Sequence, residues 1–178
     1  MRYQKIILVG FMGSGKSTVA AAVGRQLNFA VIDLDNAIAA AEGRTPAELI
    51  EQDGELSFRE LEHRMLREVL KRDEPAVIAL GGGAWTILEN RRLISEQEAT
   101  LTIWLDAPFE LCWKRITSTT EKRPLAPTIA AAEQLHRKRQ ADYALADQSV
   151  HVSENDSAEG LAEKIADFAL GARASRPQ

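Results

Sequence analysis

Lys5-Ile-Ile-Leu-Val-Gly10-Phe-Met-Gly-Ser-Gly15-Lys16-Ser17-Thr18 decides how the rest of the chain is read. Ile6 to Val9 form an unbroken apolar run, the pattern of a strand covered on both faces in a parallel sheet. The run meets a glycine loop spaced G-x-x-x-x-G-K-S, the phosphate-binding loop, and the residues after it are rich in helix formers. A nucleoside triphosphate carries several negative charges, and backbone N–H groups converging at a helix N-terminus hold them without side chains. Gly10, Gly13 and Gly15 suit this loop because side chains there would obstruct the approach. Gly13, Ser14, Gly15 and Thr18 belong to the cradle, Lys16 reaches the β- and γ-phosphates, and the Ser17 hydroxyl ligates the Mg2+ that accompanies the nucleotide. The alternative is a glycine turn with no ligand.

At 178 residues the chain suits one domain with a sizeable core. Its 45% apolar and 27% charged residues are a globular composition, and a formal net charge of −4 argues against general affinity for nucleic acid or anionic lipid. The single cysteine, Cys112, cannot form an intramolecular disulfide and suits a reducing compartment, and no Cys/His cluster has zinc spacing. Met1 to Gln4 lead straight into the first strand, leaving no room for a signal peptide, and no apolar run approaches the ~20 residues that span a bilayer. The expectation is a cytoplasmic protein.

Further along, strand and helix patterns alternate. A helix is expected over 16–27, and Phe29 to Asp33 reads as a second buried strand that delivers Asp33 and Asp35 at its C-terminal end, where ligands sit in open α/β sheets. Phosphoryl transfer needs acids in two places, one holding Mg2+ or its waters and one orienting the attacking hydroxyl and taking its proton. The other reading of either aspartate is an N-cap for a helix over 36–42. Thr45-Pro-Ala-Glu48 is a capping box opening a short helix, and after Gly54 a long helix is expected over 55–72. On it Arg59 and Glu62 lie three apart, so the acid steadies the guanidinium or the two form a solvated surface pair.

Ala76 to Leu80 is the third strand and runs into Gly81-Gly82-Gly83, which permits close backbone approach by a ligand or an unusual turn. A helix over 86–97, a strand over 100–105 and a helix carrying Cys112 and Trp113 follow, with Trp104, Trp113 and Cys112 read as core. Between 117 and 128 the apolar pattern lapses around Lys122-Arg123-Pro124. This fits a mobile lid over a phosphate site, with Arg123 stabilising the transferring group, or else an ordinary solvated loop. The helix over 129–145 carries His136-Arg137-Lys138-Arg139, from which one guanidinium can pair with a carboxylate. A fifth strand over 148–152 and a helix over 157–170 close the domain, and 171–178 reads as a disordered tail. His63, His136 and His151 show no convergent spacing and are assigned no catalysis. Five strands alternating with helices imply one doubly wound α/β domain with a parallel sheet.

Taken in order, Gly10 to Ser17, Asp33-Leu-Asp35, Gly54-Glu-Leu-Ser-Phe58-Arg59-Glu-Leu-Glu62, Gly81-Gly82-Gly83, Arg123-Pro124-Leu125 and Arg139 resemble the motifs of shikimate kinase, over roughly 5–170. The loop is common to many NTPases; the combination is far more specific. The resemblance implies a single-domain, three-layer P-loop kinase of the nucleoside-monophosphate-kinase type, with strand order 2-3-1-4-5, an acceptor-binding segment at about 35–62 and a lid at about 117–128. It implies transfer of the γ-phosphate of ATP to the 3-hydroxyl of shikimate, a step toward chorismate and the aromatic amino acids. Mg2+ would be the cofactor, ATP and shikimate the small-molecule partners, and the protein a monomer without nucleic-acid or membrane partners. It places Asp35, Lys16 and Arg123 in catalysis, Ser17 and Asp33 at the metal, and Arg115 near adenine. Arg59, steadied by Glu62, and Arg139 would clamp the shikimate carboxylate, with Gly81, Gly82 and Gly83 against the acceptor and the Gly82 N–H on a ring hydroxyl. The chain departs from the family's usual pattern at Ala126, where a second leucine is usual after Arg-Pro-Leu, and at Gln140-Ala141-Asp142-Tyr143, where x-Pro-Leu-Tyr is usual.

Two rivals stay open. One is another small-metabolite or nucleotide kinase on the same fold, such as one acting on gluconate; a nucleotide acceptor would call for a denser arginine cluster. The other is an NTP-dependent switch that hydrolyses without transferring, although the chain contains neither Asn-Lys-x-Asp nor Leu-Ser-Gly-Gly.

Overall fold

The computed structural model describes residues 2–119 and 123–171. Among them the chain runs β1 (Lys5–Val9), α1 (Lys16–Leu27), β2 (Ala30–Asp33), α2 (Leu34–Glu42), α3 (Pro46–Asp53), α4 (Glu55–Leu70) and β3 (Ala76–Ala79). A 3-10 turn (Ala84–Thr86), α5 (Leu88–Ser95), β4 (Thr100–Asp106), α6 (Phe109–Thr117), α7 (Ile129–Tyr143), β5 (Gln148–His151) and α8 (Ala158–Leu170) follow. The strands form one parallel sheet in the order β2-β3-β1-β4-β5.

The apolar runs explain the layering. Every residue of β1 and of β3 is buried, so neither strand has a face left for water and helices must cover both sides of the sheet. α1 turns Val19, Ala20 and Val23 into the core and packs against α8, while α4 buries Phe58, Leu66, Val69 and Leu70 beside α2 and α3. Each such side chain removed from water contributes roughly 1.5–3 kcal/mol. Cys112 and Trp85 are buried, and Trp104 and Trp113 pack against the core from partly exposed positions.

Register then gathers the loops. Ala79 of β3 stands level with Leu8 of β1 and with Asp33 of β2, so three strands finish at one edge. The glycine loop, Asp33 with Asp35, and Gly81 to Gly83 all leave the sheet there.

Several boundaries differ from the sequence reading by one or two residues, among them the end of α4 at Leu70, and two differences have a local cause. α2 starts two residues early because Asp33 is its cap, its Oδ1 accepting from the Asn36 N–H at 3.1 Å, which puts Asp35 inside the first helical turn. The single helix expected over 86–97 is divided, since Ile87 is extended (φ −88, ψ 121) between the 3-10 turn and α5. α7 stops at Tyr143. The capping box holds, with Thr45 N–H donating to Glu48 Oε2 at 2.7 Å and Glu48 N–H to Thr45 Oγ1 at 3.2 Å. Residues 120–122 of the expected lid and 172–178 of the expected tail lie outside the described residues. Among the described residues no helix is long and apolar enough to cross a membrane.

Candidate active site

The loop takes a path that favours glycine at Gly10, Gly13 and Gly15. Gly10 (φ 143) and Gly13 (φ 77) lie in the left-handed half of backbone space. Added Cβ atoms would stand 2.8 Å from the Leu105 carbonyl oxygen and 2.6 Å from that of Cys112. The loop therefore rests directly on β4 and α6 and delivers α1 with no side-chain cap at its N-terminus, an end with N–H groups available to an anion. Lys16 Nζ donates to the carbonyls of Gly10 (3.0 Å) and Phe11 (2.9 Å). Burial lowers its pKa to about 8, against the pull of Asp35 and Asp33. Arg115 Nη1 donates to the carbonyls of Gly13 and Ser14, both at 3.2 Å, and so fastens α6 to the loop.

At the end of β2 the two aspartates separate. Asp33 accepts from the Ser17 hydroxyl at 2.5 Å, placing one hydroxyl and one carboxylate oxygen side by side at the start of α1. Asp35 faces the cleft, where burial raises its pKa, Asp33 adds to the rise, and Lys16, Arg123 and Arg59 oppose it. Among the described residues no three His, Cys, Asp or Glu side chains gather into a self-contained metal site. A hard cation that keeps waters and substrate oxygens needs only the Ser17–Asp33 pair.

Across the cleft the three glycines after β3 make room for charged groups. A Cβ on Gly81 would meet Glu62 Oε1 and stand 2.7 Å from Asp35 Oδ1, one on Gly82 would stand 3.5 Å from Arg139 Nη1, and one on Gly83 2.6 Å from the central carbon of the Arg59 guanidinium. Arg59 is held by Glu62 Oε2 at 2.7 Å and Glu55 Oε1 at 3.0 Å. Glu62 is wholly buried, which rules out the solvated surface pair as a reading. Burial pushes its pKa up to about 7 even though Arg59 pulls it down. Arg139 is the one member of the 136–139 basic run that is buried.

All these groups line one cleft of about 330 Å3. It gathers Gly13, Gly15, Lys16, Ser17, Thr18, Asp33, Asp35, Arg59, Gly81, Gly82, Gly83, Arg115, Arg123 and Arg139. Ser14, the remaining candidate, is buried beneath the loop at 1% exposure. Sequence reasoning left out Phe58, Ile50 and Pro46, which also line the cleft, and Tyr143, whose hydroxyl donates to the Gly82 carbonyl at 2.5 Å. Tyr143 stands one helical turn after Arg139, a spacing that puts both on one face of α7.

The chain is similar to known proteins along nearly its whole length. The family described as shikimate kinase matches residues 12–169. A shikimate kinase of Cereibacter sphaeroides is 38% identical over 175 residues, covering 97% of this chain and 83% of its own length. One of Persephonella marina is 37% identical over 144 residues, 81% of this chain and 86% of that one. The solved structure of the Acinetobacter baumannii shikimate kinase in complex with shikimate superposes with a TM-score of 0.86 at 31% identity, covering 95% of this chain and 94% of the other. Because the match runs from the glycine loop into α8 and includes the glycine-rich turn and α7 that close the cleft, the chain belongs to the shikimate kinase family.

Proposed function

We propose that the chain transfers the γ-phosphate of ATP to the 3-hydroxyl of shikimate, giving shikimate 3-phosphate and ADP. The observation that carries this reading is the arrangement around Gly81 to Gly83, where the Asp35 and Glu62 carboxylates and two guanidinium groups, from three separate elements, abut successive glycines beside the phosphate loop. A small acceptor with one carboxylate and several hydroxyls suits this set. Two arginines receive the carboxylate, where bidentate, charge-assisted bonds are strongest, and Asp35 receives the hydroxyl. The shikimate bound to the Acinetobacter baumannii relative supports the same acceptor.

In this mechanism the N–H groups from Gly13 to Thr18 cradle the phosphates, and Lys16 leaves its loop carbonyls for the β- and γ-phosphate oxygens. Ser17 and Asp33 would hold Mg2+, which would neutralise phosphate charge. Asp35 accepts the proton of the 3-hydroxyl as its oxygen attacks the γ-phosphorus, and the bond to the β–γ bridging oxygen breaks to release ADP. Its raised pKa brings it closer to the working pH, as a general base requires. Arg123, on the cleft wall with Leu125, stabilises charge on the transferring group, and Arg115, also on that wall, is assigned to adenine. We take residues 1–170 as one kinase domain, 35–62 as its acceptor-binding segment and 117–128 as its lid, and the enzyme as a cytoplasmic monomer. The buried free thiol of Cys112 supports a reducing compartment.

The test is a panel of acceptors incubated with Mg-ATP and read by mass spectrometry. Shikimate should gain one phosphoryl group, with gluconate and nucleoside monophosphates unchanged. No gain on shikimate, or hydrolysis indifferent to every acceptor, overturns the assignment.

A further inference from the structure

The last turn of α7 is tied to the glycine turn after β3 at two depths. Inside, Tyr143 is fully buried, stacked on Trp104 with ring centroids 6.2 Å apart, and its hydroxyl donates to the Gly82 carbonyl at 2.5 Å. The Arg139 guanidinium, one turn earlier, rests against the same glycine turn, its Nη1 3.5 Å from where a Cβ on Gly82 would stand. The phenol spends its one O–H on the Gly82 carbonyl. The peptide is trans, so turning the Gly82 carbonyl toward Tyr143 turns the Gly83 N–H away from it. Outside, Trp85 Nε1 donates to the Asp142 carbonyl at 2.8 Å. Arg91 Nη1 bridges Asp142 Oδ1 at 3.1 Å and the Trp85 carbonyl at 2.7 Å.

We propose that Tyr143 is a positioning residue for the acceptor's carboxylate, its hydroxyl fixing the Gly82–Gly83 peptide against which Arg139 rests. This rests on the function proposed above. Without the hydroxyl, the glycine peptide, which has no side chain to fix it, turns more freely, and Arg139 loses the fixed backbone it rests on. Asp142 acts on the same junction from outside the cleft, by holding the end of α7 against the turn.

The test is steady-state kinetics of Tyr143→Phe in the full chain with Mg-ATP. The KM for shikimate should rise about five-fold, the scale of one lost neutral hydrogen bond, with kcat and the KM for ATP changing less than two-fold. An unchanged KM for shikimate overturns the proposal. So does a uniform loss in all three constants, which marks packing alone. If circular dichroism shows that Tyr143→Phe does not fold, Asp142→Asn decides: it should raise the KM for shikimate about three-fold with the other constants unchanged, and no such rise overturns the proposal. A wild-type protein inactive on shikimate overturns the function itself, whereas an active wild type with an insensitive variant overturns only the role of Tyr143.

Discussion

Asp35 and Glu62 show how two carboxylates on one cleft wall come to do different work. Asp35 is placed by the first turn of α2, where burial raises its pKa and Asp33 adds to the rise, against the pull of Lys16, Arg123 and Arg59. Asp35→Asn should retain nucleotide binding, measured by calorimetry, while transfer falls by roughly 10²-fold or more; normal turnover would remove Asp35 as the base. Glu62 instead serves Arg59, and that changes what truncating the arginine does. Arg59→Ala should weaken acceptor binding by about 2–5 kcal/mol, and it also strands a buried acid, a loss on the order of 3 kcal/mol in stability. Adding Glu62→Gln should recover part of the melting temperature and none of the acceptor affinity. Joint recovery of both would mean that Arg59 acts only through Glu62. The sequence disclosed the pairing through its i, i+3 spacing, but the depth of burial that makes it matter comes from Gly81 and Gly83, which let both side chains sit against bare backbone.

At the scale of elements, the strands were legible because parallel strands covered on both faces read as unbroken apolar runs, as in Ile6 to Val9 and Ala76 to Ala79. α3 was legible from Thr45 and Glu48. Harder to read was the junction after the glycines, where the chain makes a 3-10 turn, extends at Ile87 and re-enters a helix. Nothing in Thr86-Ile87-Leu88 marks that break, since its cause lies elsewhere in the fold. Asn90, wholly buried on α5, donates from Nδ2 to the Ala84 carbonyl at 2.9 Å and meets His63 Nδ1 of α4 through Oδ1 at 2.6 Å. One amide thereby joins α4, α5 and the turn that carries the glycines. Asn90→Ala should cost about 1–3 kcal/mol, read from urea denaturation with an unchanged m-value. A loss under about 0.5 kcal/mol would mean that the junction is held by packing alone.

For the molecule as a whole, the parallel order β2-β3-β1-β4-β5 brings residues distant in sequence to one rim, so the site could be assembled from motifs but not measured from them. The same convergence brings acids and guanidinium groups into a buried space, and the folded state bears the consequence as pH changes. Burial raises the Glu62 pKa from 4.5 to about 7, so between those values the folded protein holds a proton that the unfolded chain has released. Stability from this group is therefore fully present below pH 4.5, declines as pH rises toward 7, and stays lost above it. Glu62→Gln preserves the shape and an acceptor for Arg59 while removing the titration. The stability of the wild type relative to Glu62→Gln should consequently fall by about 1–3 kcal/mol between pH 4.5 and 8, followed by chemical denaturation at each pH. Asp35 shifts in the same direction and remains in both proteins, so the difference isolates Glu62. A difference that stays flat across that range would show that Glu62 is ionised throughout, kept charged by Arg59 and Arg139 despite its burial, and the acceptor fork would then hold a permanent internal anion against which an entering carboxylate must compete.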